Sequence, residues 1–429
     1  MARRQRQFKK PKKKTPDPVR GTYTIKGLAH RGDGIAVDGE RSIFISHTLQ
    51  GETVEADVVG ERGTLVDVLE PAKDRVEAPC EHYLECGGCN LQHMENSAYL
   101  NWKREQVIHA LEAQEIELAP EPIIPIETKT RRRATFSAAR SGSDIKFGFQ
   151  GAKSHRIEEI SSCLVIVPEI EKALPKLRSI AAIITPKRGT MKMHVLMTDN
   201  GLDIRLDDFG DWPDFETERA LMNAATKLGL ARISLGPSIL IELDTPSLHF
   251  GDAIVPLSPG AFTQATAQSE QALVELVVEG TRGFKHVADL FAGSGTFALN
   301  LAKHGRVHAA EGDKGALQSL EKAARATPSL KPVTSEQRDL FRRPFMAKEL
   351  RKFDTVVLDP PRAGAKEQCA ELAKSSVETI VYVSCSPSSF ARDAKTLIEG
   401  GYSLNQVFPV DQFLFSHHIE LVGTFNKGE

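Results

Sequence analysis

The stretch "HVADLFAGSGTFALNLAKHG" at residues 286–305 decides the fold class. An apolar run is followed by a turn with two glycines, and then by apolar residues at helical spacing. This pattern predicts a strand, a tight turn and a helix. The alternation recurs beyond residue 265, with further predicted strands in "RVHAAEGD", "FDTVVLDPPR" and "TIVYVSC" and a helix after each. Strands that alternate with helices at this spacing predict a doubly wound α/β sheet.

The Gly-x-Gly turn predicts a ligand site at the carboxyl ends of these strands, because glycine lets the backbone approach a ligand closely. Glu311 follows Asp289 by 22 residues, at the tip of the next predicted strand. An acid there can accept hydrogen bonds from a ribose diol. The turn lacks the third glycine of the dinucleotide fingerprint, so it resembles the S-adenosylmethionine site of methyltransferases, and the alternative is a turn without a ligand. Asp339 and Asp359 are expected at the ends of neighbouring strands.

Cys385 ends the predicted strand "TIVYVSC" and is expected to face the same crevice. Uracil C5 is a poor nucleophile, but a thiolate that adds to C6 makes C5 enolate-like and able to attack a sulfonium methyl group. Glu420, in "HHIEL", is the candidate base for the C5 proton. The alternative for a free cysteine is a small buried apolar residue. That is the interpretation of Cys369.

The stretch "DPPR" at residues 359–362 bears on which nucleobase would be methylated. Asp-Pro-Pro followed by an aromatic residue would indicate methylation of an exocyclic amine, but Arg362 stands at that position. An RNA cytosine-C5 enzyme would be expected to carry a second cysteine in this stretch, and the sequence has none. Uracil is therefore favoured over cytosine.

Four cysteines form a candidate metal site. Cys80, Cys86 and Cys89 lie within ten residues, and Cys163 is more distant in the sequence. A cytosolic protein of this size has little need of disulfides. Four thiolates suit a [4Fe–4S] cluster and equally suit structural zinc. Zinc sites usually use two Cys-x-x-Cys pairs and only one is present, so the residues favour the cluster and leave zinc open.

The rest of the chain divides into a tail and three predicted domains. Residues 1–15 form a basic tail with eight Lys and Arg and no acid, predicted to be disordered. It is typical of a nucleic-acid arm, a solubilising tail or, less often, a targeting address. Short β-like runs with glycine turns in 16–75 predict a small OB-like barrel. Residues 76–262 are predicted to form an α+β central domain, with a helix near 96–115 that packs on the catalytic domain at 263–429.

The run "KTRRR" at residues 129–133 begins a predicted strand of the central domain. Adjacent arginines are typical of phosphate contacts. The alternative is a solvated edge strand.

The composition is that of an ordinary globular protein, with 41% hydrophobic and 26% charged residues. No apolar run approaches the roughly 18–20 residues that a membrane-spanning helix needs. We therefore expect a cytoplasmic protein without a membrane partner, and we expect it to act as a monomer.

Eight ordered motifs, together with the barrel, carry a resemblance to a known family. The motifs are "CEHYLECGGCNLQH", "FTQAT", "DLFAGSGTF", "AEGD", "DLF", "DPPR", "VSCSP" and "HIE". The chain resembles the uracil-5 RNA methyltransferases over nearly its whole length, specifically the iron–sulfur branch that modifies 23S rRNA. In this resemblance the N-terminal barrel is similar to a TRAM domain.

The resemblance implies a role for each candidate residue. Cys385 would be the nucleophile, and Glu420 would remove the C5 proton. The residues implied to contact S-adenosylmethionine are Gln264, Phe291, Glu311, Asp339 and Asp359. The residues implied to hold a [4Fe–4S] cluster of structural role are Cys80, Cys86, Cys89 and Cys163.

The substrate stays open between 23S rRNA and the T-loop of tRNA, since the same chemistry serves both. A third reading is a non-catalytic RNA-binding iron–sulfur protein. The chain departs from the family pattern at Thr130, Thr266 and Thr296, where the family often has Tyr, Asn and Asn. The first two of these positions are expected to meet the RNA.

Overall fold

The computed structural model describes residues 17–428 except 153 and 155, so the predicted basic tail at 1–15 lies outside the described residues. The chain forms two compact units. One holds residues up to Ala78 together with Asn90–Glu95, and the other holds Pro79–Cys89 and the residues from Asn96 onward. Within the described residues, no helix is long and apolar enough to cross a membrane.

The first unit contains a closed five-stranded barrel with strand order β1-β2-β3-β5-β4. Its strands are β1 (Val19–Leu28), β2 (Gly34–Asp38), β3 (Arg41–Ile45), β4 (Thr53–Val59) and β5 (Arg62–Glu70). Burial alternates along β4, so that Val54, Ala56 and Val58 point into the barrel core and the residues between them do not. This period of two is the pattern that strands with one buried face require.

The first helix of the second unit is α1 (Asn96–Glu112), and a seven-stranded sheet of order β12-β11-β10-β9-β6-β7-β8 follows it. Its strands are β6 (Arg133–Ser141), β7 (Asp144–Gln150), β8 (Ile157–Glu158), β9 (Met191–Thr198), β10 (Gly201–Asp207), β11 (Arg232–Leu235) and β12 (Ser238–Glu242). The helices α2 (Pro168–Ile184) and α3 (Phe215–Leu228) supply buried apolar residues to the core of this sheet. Asp214 caps the start of α3 and Gly229, in the left-handed conformation, ends it.

A short hairpin and a second seven-stranded sheet complete this unit. The remaining strands are β13 (Ser247–Phe250), β14 (Ala253–Pro256), β15 (His286–Leu290), β16 (Arg306–Glu311), β17 (Val333–Gln337), β18 (Thr355–Leu358), β19 (Thr379–Ser384), β20 (Tyr402–Val410) and β21 (Glu420–Lys427). The remaining helices are α4 (Ala267–Gly280), α5 (Thr296–Leu301), α6 (Lys314–Ala326), α7 (Ala347–Leu350), α8 (Lys366–Leu372) and α9 (Pro387–Glu399).

The order of the second sheet is β17-β16-β15-β18-β19-β21-β20. The first five strands are parallel, and the order reverses at β15, which is the switch point where doubly wound sheets bind ligands. β21 is antiparallel and lies between β19 and β20. The start of β21 therefore lies at the same edge as the carboxyl ends of the parallel strands.

The helix α1 packs into the core of this sheet, where Val107 and Leu111 are buried in one cluster with Leu358 and Tyr382. The Nζ atom of Lys103 forms a fully buried ion pair with Asp411. Lys103 thereby ties α1 to the segment between β20 and β21.

The structure confirms the predicted fold class, which is a Rossmann-like α/β methyltransferase domain preceded in the chain by an OB-like barrel and an α+β region. The predicted boundaries between the barrel, the central domain and the catalytic domain stay predictions. The central and catalytic sheets belong to one compact unit.

Candidate active site

The turn after β15 is an open backbone surface beside the ligand crevice. The amides of Phe291 and Ala292 both donate to the carbonyl oxygen of Ala310 on β16, at 3.0 and 3.1 Å. Phe291, Gly293 and Gly295 have positive φ angles of 65°, 54° and 98°. A Cβ atom at Gly295 would meet Leu320 at 2.9 Å, whereas one at Gly293 would meet nothing within 4 Å. The turn therefore needs glycine for conformation at both positions, and the space over Gly293 is free for a ligand.

Glu311 ends β16 and its carboxylate lies against this turn. One oxygen accepts a hydrogen bond from the Gly293 amide at 2.9 Å, and the other accepts from the Asp313 amide at 2.7 Å. Asp313 in turn caps α6 by accepting from the Ala316 amide. The carboxylate is thus held at the strand tip, where the sequence predicted a partner for a ribose diol.

Several buried polar atoms of β15, of the turn after it and of the segment that leads to α4 have no hydrogen-bond partner of normal length within the part of the chain that the structure describes. These atoms are both carboxylate oxygens of Asp289, the Oε1 atom of Gln264, the Oγ1 atom of Thr263 and the Oγ atom of Ser294. Burial, and then the charges of Asp359 and Glu311, raise the pKa of Asp289 well above its usual value. Buried polar groups in native proteins are nearly always paired with protein, water or ligand. The crevice therefore suits a polar ligand, and its donor and acceptor set fits S-adenosylmethionine.

Asp359, Gln264 and Asp339 lie at different depths of this crevice. Asp359 follows β18 and is 3.5 Å from the Nε2 atom of Gln264, while burial and the charge of Glu311 raise its pKa to about 7. Asp339 is exposed and accepts hydrogen bonds from the amides of the turn that carries Phe341. The Phe341 ring lies 5.4 Å from the ring of Phe291.

Cys385 follows the last residue of β19 and is half-buried at the same edge. Ser386 caps α9 and Pro387 occupies its first turn, so the chain leaves the strand and enters a helix directly after the thiol. Burial, and then the charges of Glu420 and Asp359, raise the pKa of Cys385 to about 11. The resting thiol is therefore protonated at neutral pH. Cys369, by contrast, is fully buried in the apolar core.

Glu420 begins β21, directly beside the strand that leads to Cys385. The ladder between β19 and β21 ends at the pair Ser384–Leu421, so Cys385 and Glu420 are the next positions on the two strands. Glu420 is only 5% exposed. Burial and the charge of Asp359 raise its pKa to about 8, against the opposing effects of Gln412 and Arg133.

The buried amide of Gln412 is a part of the site that the sequence analysis missed. Its Nε2 atom donates to Glu420 at 3.0 Å. Its Oε1 atom accepts from the Ser269 hydroxyl at 2.7 Å and from the Ala265 amide at 3.2 Å. No local sequence signal marks this residue, because Ala265 and Ser269, which fix its orientation, lie 147 and 143 positions away in the chain.

The arginines of "KTRRR" have different roles in the structure. Arg132 is buried, where it pairs with Glu270 and donates to the carbonyl oxygen of Gln264. Arg131 and Arg133 line a cavity of about 380 Å³ next to the crevice, and Phe262 is 62% exposed beside them. The guanidinium of Arg133 lies 4.7 Å from the centre of the Phe262 ring. The solvated-edge interpretation is wrong, because β6 lies inside its sheet between β9 and β7.

All six cysteines are free thiols. Burial, and then the charges of Cys163 and Cys80, raise the pKa of Cys86, so Cys86 lies within electrostatic range of each of these two thiols. Backbone amides donate to two sulfur atoms, Gly88 to Cys86 and Val165 to Cys163, each at 3.4 Å. Among residues 17–428 without 153 and 155, no three His, Cys, Asp or Glu side chains are grouped closely enough to hold a metal ion.

The strand order β17-β16-β15-β18-β19-β21-β20, with a Gly-x-Gly turn at the switch point and an acid at the next strand tip, is consistent with the Rossmann-like fold of class I S-adenosylmethionine-dependent methyltransferases. The profile of the family described as tRNA (uracil-5-)-methyltransferase matches residues 253–427. A Brucella suis protein described as an RNA methyltransferase is 43% identical over 408 residues, which are 95% of this chain and 98% of that protein. The Vibrio vulnificus 23S rRNA (uracil(1939)-C(5))-methyltransferase RlmD is 31% identical over 98% of this chain and 99% of its own length.

A solved structure shares the fold. The Pyrococcus abyssi tRNA (uracil-54, C5)-methyltransferase, crystallised with S-adenosyl-L-homocysteine, superposes with a TM-score of 0.73 at 22% identity and covers 95% of this chain and 100% of its own. The chain therefore belongs to the RNA uracil-5 methyltransferase family, and it is an S-adenosylmethionine-dependent enzyme that methylates RNA.

Proposed function

We propose that this enzyme methylates C5 of a specific uridine in 23S rRNA through a covalent adduct between Cys385 and uracil C6. The observation that carries the proposal is the placement of Cys385 and Glu420. They occupy neighbouring positions at the ends of β19 and β21, beside Asp359 and the turn after β15. The pair supplies a nucleophile and a base on the same edge of one sheet, which is what addition followed by elimination requires.

Cys385 performs the first step. Its thiol first loses its proton to solvent. The sulfur then forms a bond to C6 of the bound ring, and the electron pair of the C5–C6 double bond moves toward O4, so that C5 becomes nucleophilic. C5 then forms a bond to a methyl group, which S-adenosylmethionine would supply when bound and so be released as S-adenosylhomocysteine. The positive charge of S-adenosylmethionine would favour the thiolate. Because the pKa of Cys385 is about 11 in the free protein, the nucleophile stays protonated until the site is filled. Arg362, whose charge opposes the rise in this pKa, assists the thiolate.

Glu420 performs the last step. After methylation C5 carries both a proton and a methyl group, and Glu420 takes the proton. The electron pair of the C5–H bond then forms the C5–C6 double bond, and the C6–S bond breaks to release Cys385. A pKa of about 8 for Glu420 lies close to physiological pH, where a general base and acid is most effective.

Five residues are proposed to hold the methyl donor. Glu311 would accept from the ribose hydroxyls and Phe291 would pack against the adenine. Asp339, Asp359 and Gln264 would complete the polar wall. The unpaired oxygen of Gln264 and the open space over Gly293 support this assignment.

We propose a [4Fe–4S] cluster of structural role on Cys80, Cys86, Cys89 and Cys163. The hydrogen bonds from backbone amides to the sulfur atoms of Cys86 and Cys163 support it, since such bonds accompany cluster thiolates. A cluster binds each cysteine to a different iron, whereas one zinc ion would draw all four sulfurs to a single centre. Anaerobic purification should yield about four irons and four sulfides per chain. Stoichiometric zinc without colour would refute the cluster.

RNA is proposed to lie along the cavity next to the crevice. Arg131 and Arg133 offer positive charge for phosphates, and the exposed ring of Phe262 offers a surface on which a base can stack. The 31% identity to a 23S rRNA enzyme supports the ribosomal substrate. We further propose that the protein acts as a monomer in the cytoplasm.

The proposal is tested by mapping 5-methyluridine in 23S rRNA and in tRNA from cells with and without this protein. Loss of one modified position in 23S rRNA is the expected result. Loss in the T-loop of tRNA instead would assign the enzyme to the alternative substrate. A protein that binds RNA but neither binds S-adenosylmethionine nor changes any uridine would refute the enzymatic role.

A further inference from the structure

The side chain of Gln412 is held at both ends inside the active site. It is 2% exposed and lies just beyond β20, in the segment that leads to β21. The Ala265 amide can only donate, so the atom of Gln412 that faces it must be the carbonyl oxygen. The Ser269 hydroxyl donates to the same oxygen at 2.7 Å. The NH₂ group of Gln412 must therefore face Glu420, where it lies 3.0 Å from one carboxylate oxygen.

The first turn of α4 holds the acceptor end of this amide. Thr266 caps α4 by accepting from the Ser269 amide at 2.9 Å, and its hydroxyl lies 2.8 Å from the Ser269 hydroxyl. The arrangement places Ser269 where it can donate its single hydroxyl proton to Gln412. The orientation of Gln412 is thus imposed by a regular helix start and does not depend on Glu420.

We propose that Gln412 is a positioning residue for removal of the C5 proton, because it holds one oxygen of Glu420 and leaves the other for the bound ring. This role rests on the proposed function of Cys385 and Glu420. In the step concerned, the free oxygen of Glu420 takes the C5 proton, the C5–H electron pair forms the C5–C6 double bond, and the Cys385 sulfur leaves C6 as a thiolate.

The charges around Glu420 show why such a donor is needed. Asp359 faces it from the end of β18 and disfavours its ionised form. Cys385 lies beside it at the end of β19 as a neutral thiol, because the pKa of Cys385 is about 11. Arg133, at the start of β6, favours the ionised form. A hydrogen bond donated by Gln412 also favours the carboxylate over the protonated acid. Without it, Glu420 would be free to rotate and would hold its proton up to a higher pH.

A purely structural role for Gln412 makes a different prediction. If the residue only fixed the segment before β21 to α4, its loss would weaken addition and elimination together. If it positions the base, addition by Cys385 continues while elimination slows.

The test uses the full-length protein, an RNA substrate with tritium at C5 of uridine, and single-turnover conditions across a range of pH. Adduct formation is read on denaturing gels, and elimination is read from tritium release. For Gln412→Met we expect adduct formation within about threefold of wild type and tritium release slowed about tenfold or more, since a general base contributes at least this much. We also expect adduct to accumulate and the acid limb of the release profile to move to higher pH.

Ser269→Ala is the matched control, because it removes one bond to the acceptor end while the Ala265 amide keeps the orientation of Gln412. Both of its rates should stay within about threefold of wild type. If Gln412→Met does not fold, Gln412→Glu retains an acceptor for Ala265 and Ser269 and places a second carboxyl against Glu420. Two carboxyls in contact cannot both ionise readily, so the acid limb should again move upward.

Equal slowing of both steps, or an unchanged release profile in the folded variant, would overturn the positioning role. If the wild-type protein forms 5-methyluridine while the variant gives either of these results, the proposed function stands and only the positioning role of Gln412 is refuted. A wild-type protein that forms no 5-methyluridine in any RNA overturns both.

Discussion

Replacing Glu420 with glutamine should make the protein more stable, and increasingly so as the pH rises. Glu420 is buried beside Asp359, and its pKa rises from 4.5 to about 8 on folding. Between those values the folded protein binds a proton that the unfolded chain has lost, so folding stability falls as the pH rises through this interval. A glutamine at this position has no proton to lose, so the stability of the Glu420→Gln protein does not fall with pH for this reason.

The magnitude follows from the size of the pKa change. Each pH unit within the interval costs the wild type about 1.4 kcal/mol of folding free energy. The advantage of Glu420→Gln over wild type should therefore be near zero at pH 4.5, about 3 kcal/mol at pH 7 and on the order of 5 kcal/mol above pH 8.

Urea unfolding of both proteins from pH 5 to pH 9 measures this difference. Glu349→Gln is the control, because the hydrogen bond from Arg338 holds the pKa of Glu349 at about 2. The stability that the Glu349 carboxylate contributes is fully present above pH 4.5. The difference in folding free energy between wild type and Glu349→Gln should therefore be constant from pH 5 to pH 9. Parallel stability curves for wild type and Glu420→Gln would refute the argument, since they would show that Glu420 ionises in the folded protein as readily as in water.

Four further outcomes are expected. Cys385→Ala should abolish methylation, because the thiol is proposed to attack the uracil ring. S-adenosylmethionine binding, measured by calorimetry, should stay within about threefold of wild type. Full activity of this variant would refute the covalent mechanism. Glu420→Gln should trap a covalent RNA–protein adduct that migrates as a retarded band on denaturing gels, and normal turnover would show that another group is the base. Lys103→Met should lower the free energy of unfolding by about 3–5 kcal/mol, because it leaves the buried Asp411 carboxylate without its ion-pair partner. The double variant Lys103→Met with Asp411→Asn should recover part of this loss in urea unfolding. An equal loss in the single and the double variant would contradict the ion-pair account. Cys163→Ala should lower the iron content of anaerobically purified protein below four per chain, and an unchanged value would remove this residue from the proposed cluster set.

The parts of the site that the sequence predicted are those set by short-range rules. The turn after β15 needs glycine at Gly293 and Gly295 for local conformation, and Glu311 follows at the tip of the next strand. Parallel strands place their carboxyl ends at one edge, so Cys385 and Asp359 were expected to share a crevice. These inferences use only strand order and spacing, which a sequence records directly.

The parts that the sequence did not predict depend on contacts between distant segments. Gln412 and Ser269 are 143 positions apart, and nothing near either residue indicates that they meet. The three consecutive arginines are equivalent in the sequence, yet Arg132 is buried against Glu270 while Arg133 lines the cavity. Arg132 is distinguished from its neighbours by Gln264 and Glu270, which lie 132 and 138 positions away in the chain.

The insertion of β21 between β19 and β20 has a consequence for faulty copies of this enzyme. A chain that lacks β21 loses Glu420, and it also loses the strand that pairs with both neighbours. Such a chain would expose two unpaired strand edges and the buried residues behind them. A truncated chain that keeps Cys385 but lacks Glu420 would therefore also lack a correctly folded sheet. Because the proposed base begins a strand that pairs on both sides, a chain cannot lose Glu420 by truncation and keep the rest of this sheet intact.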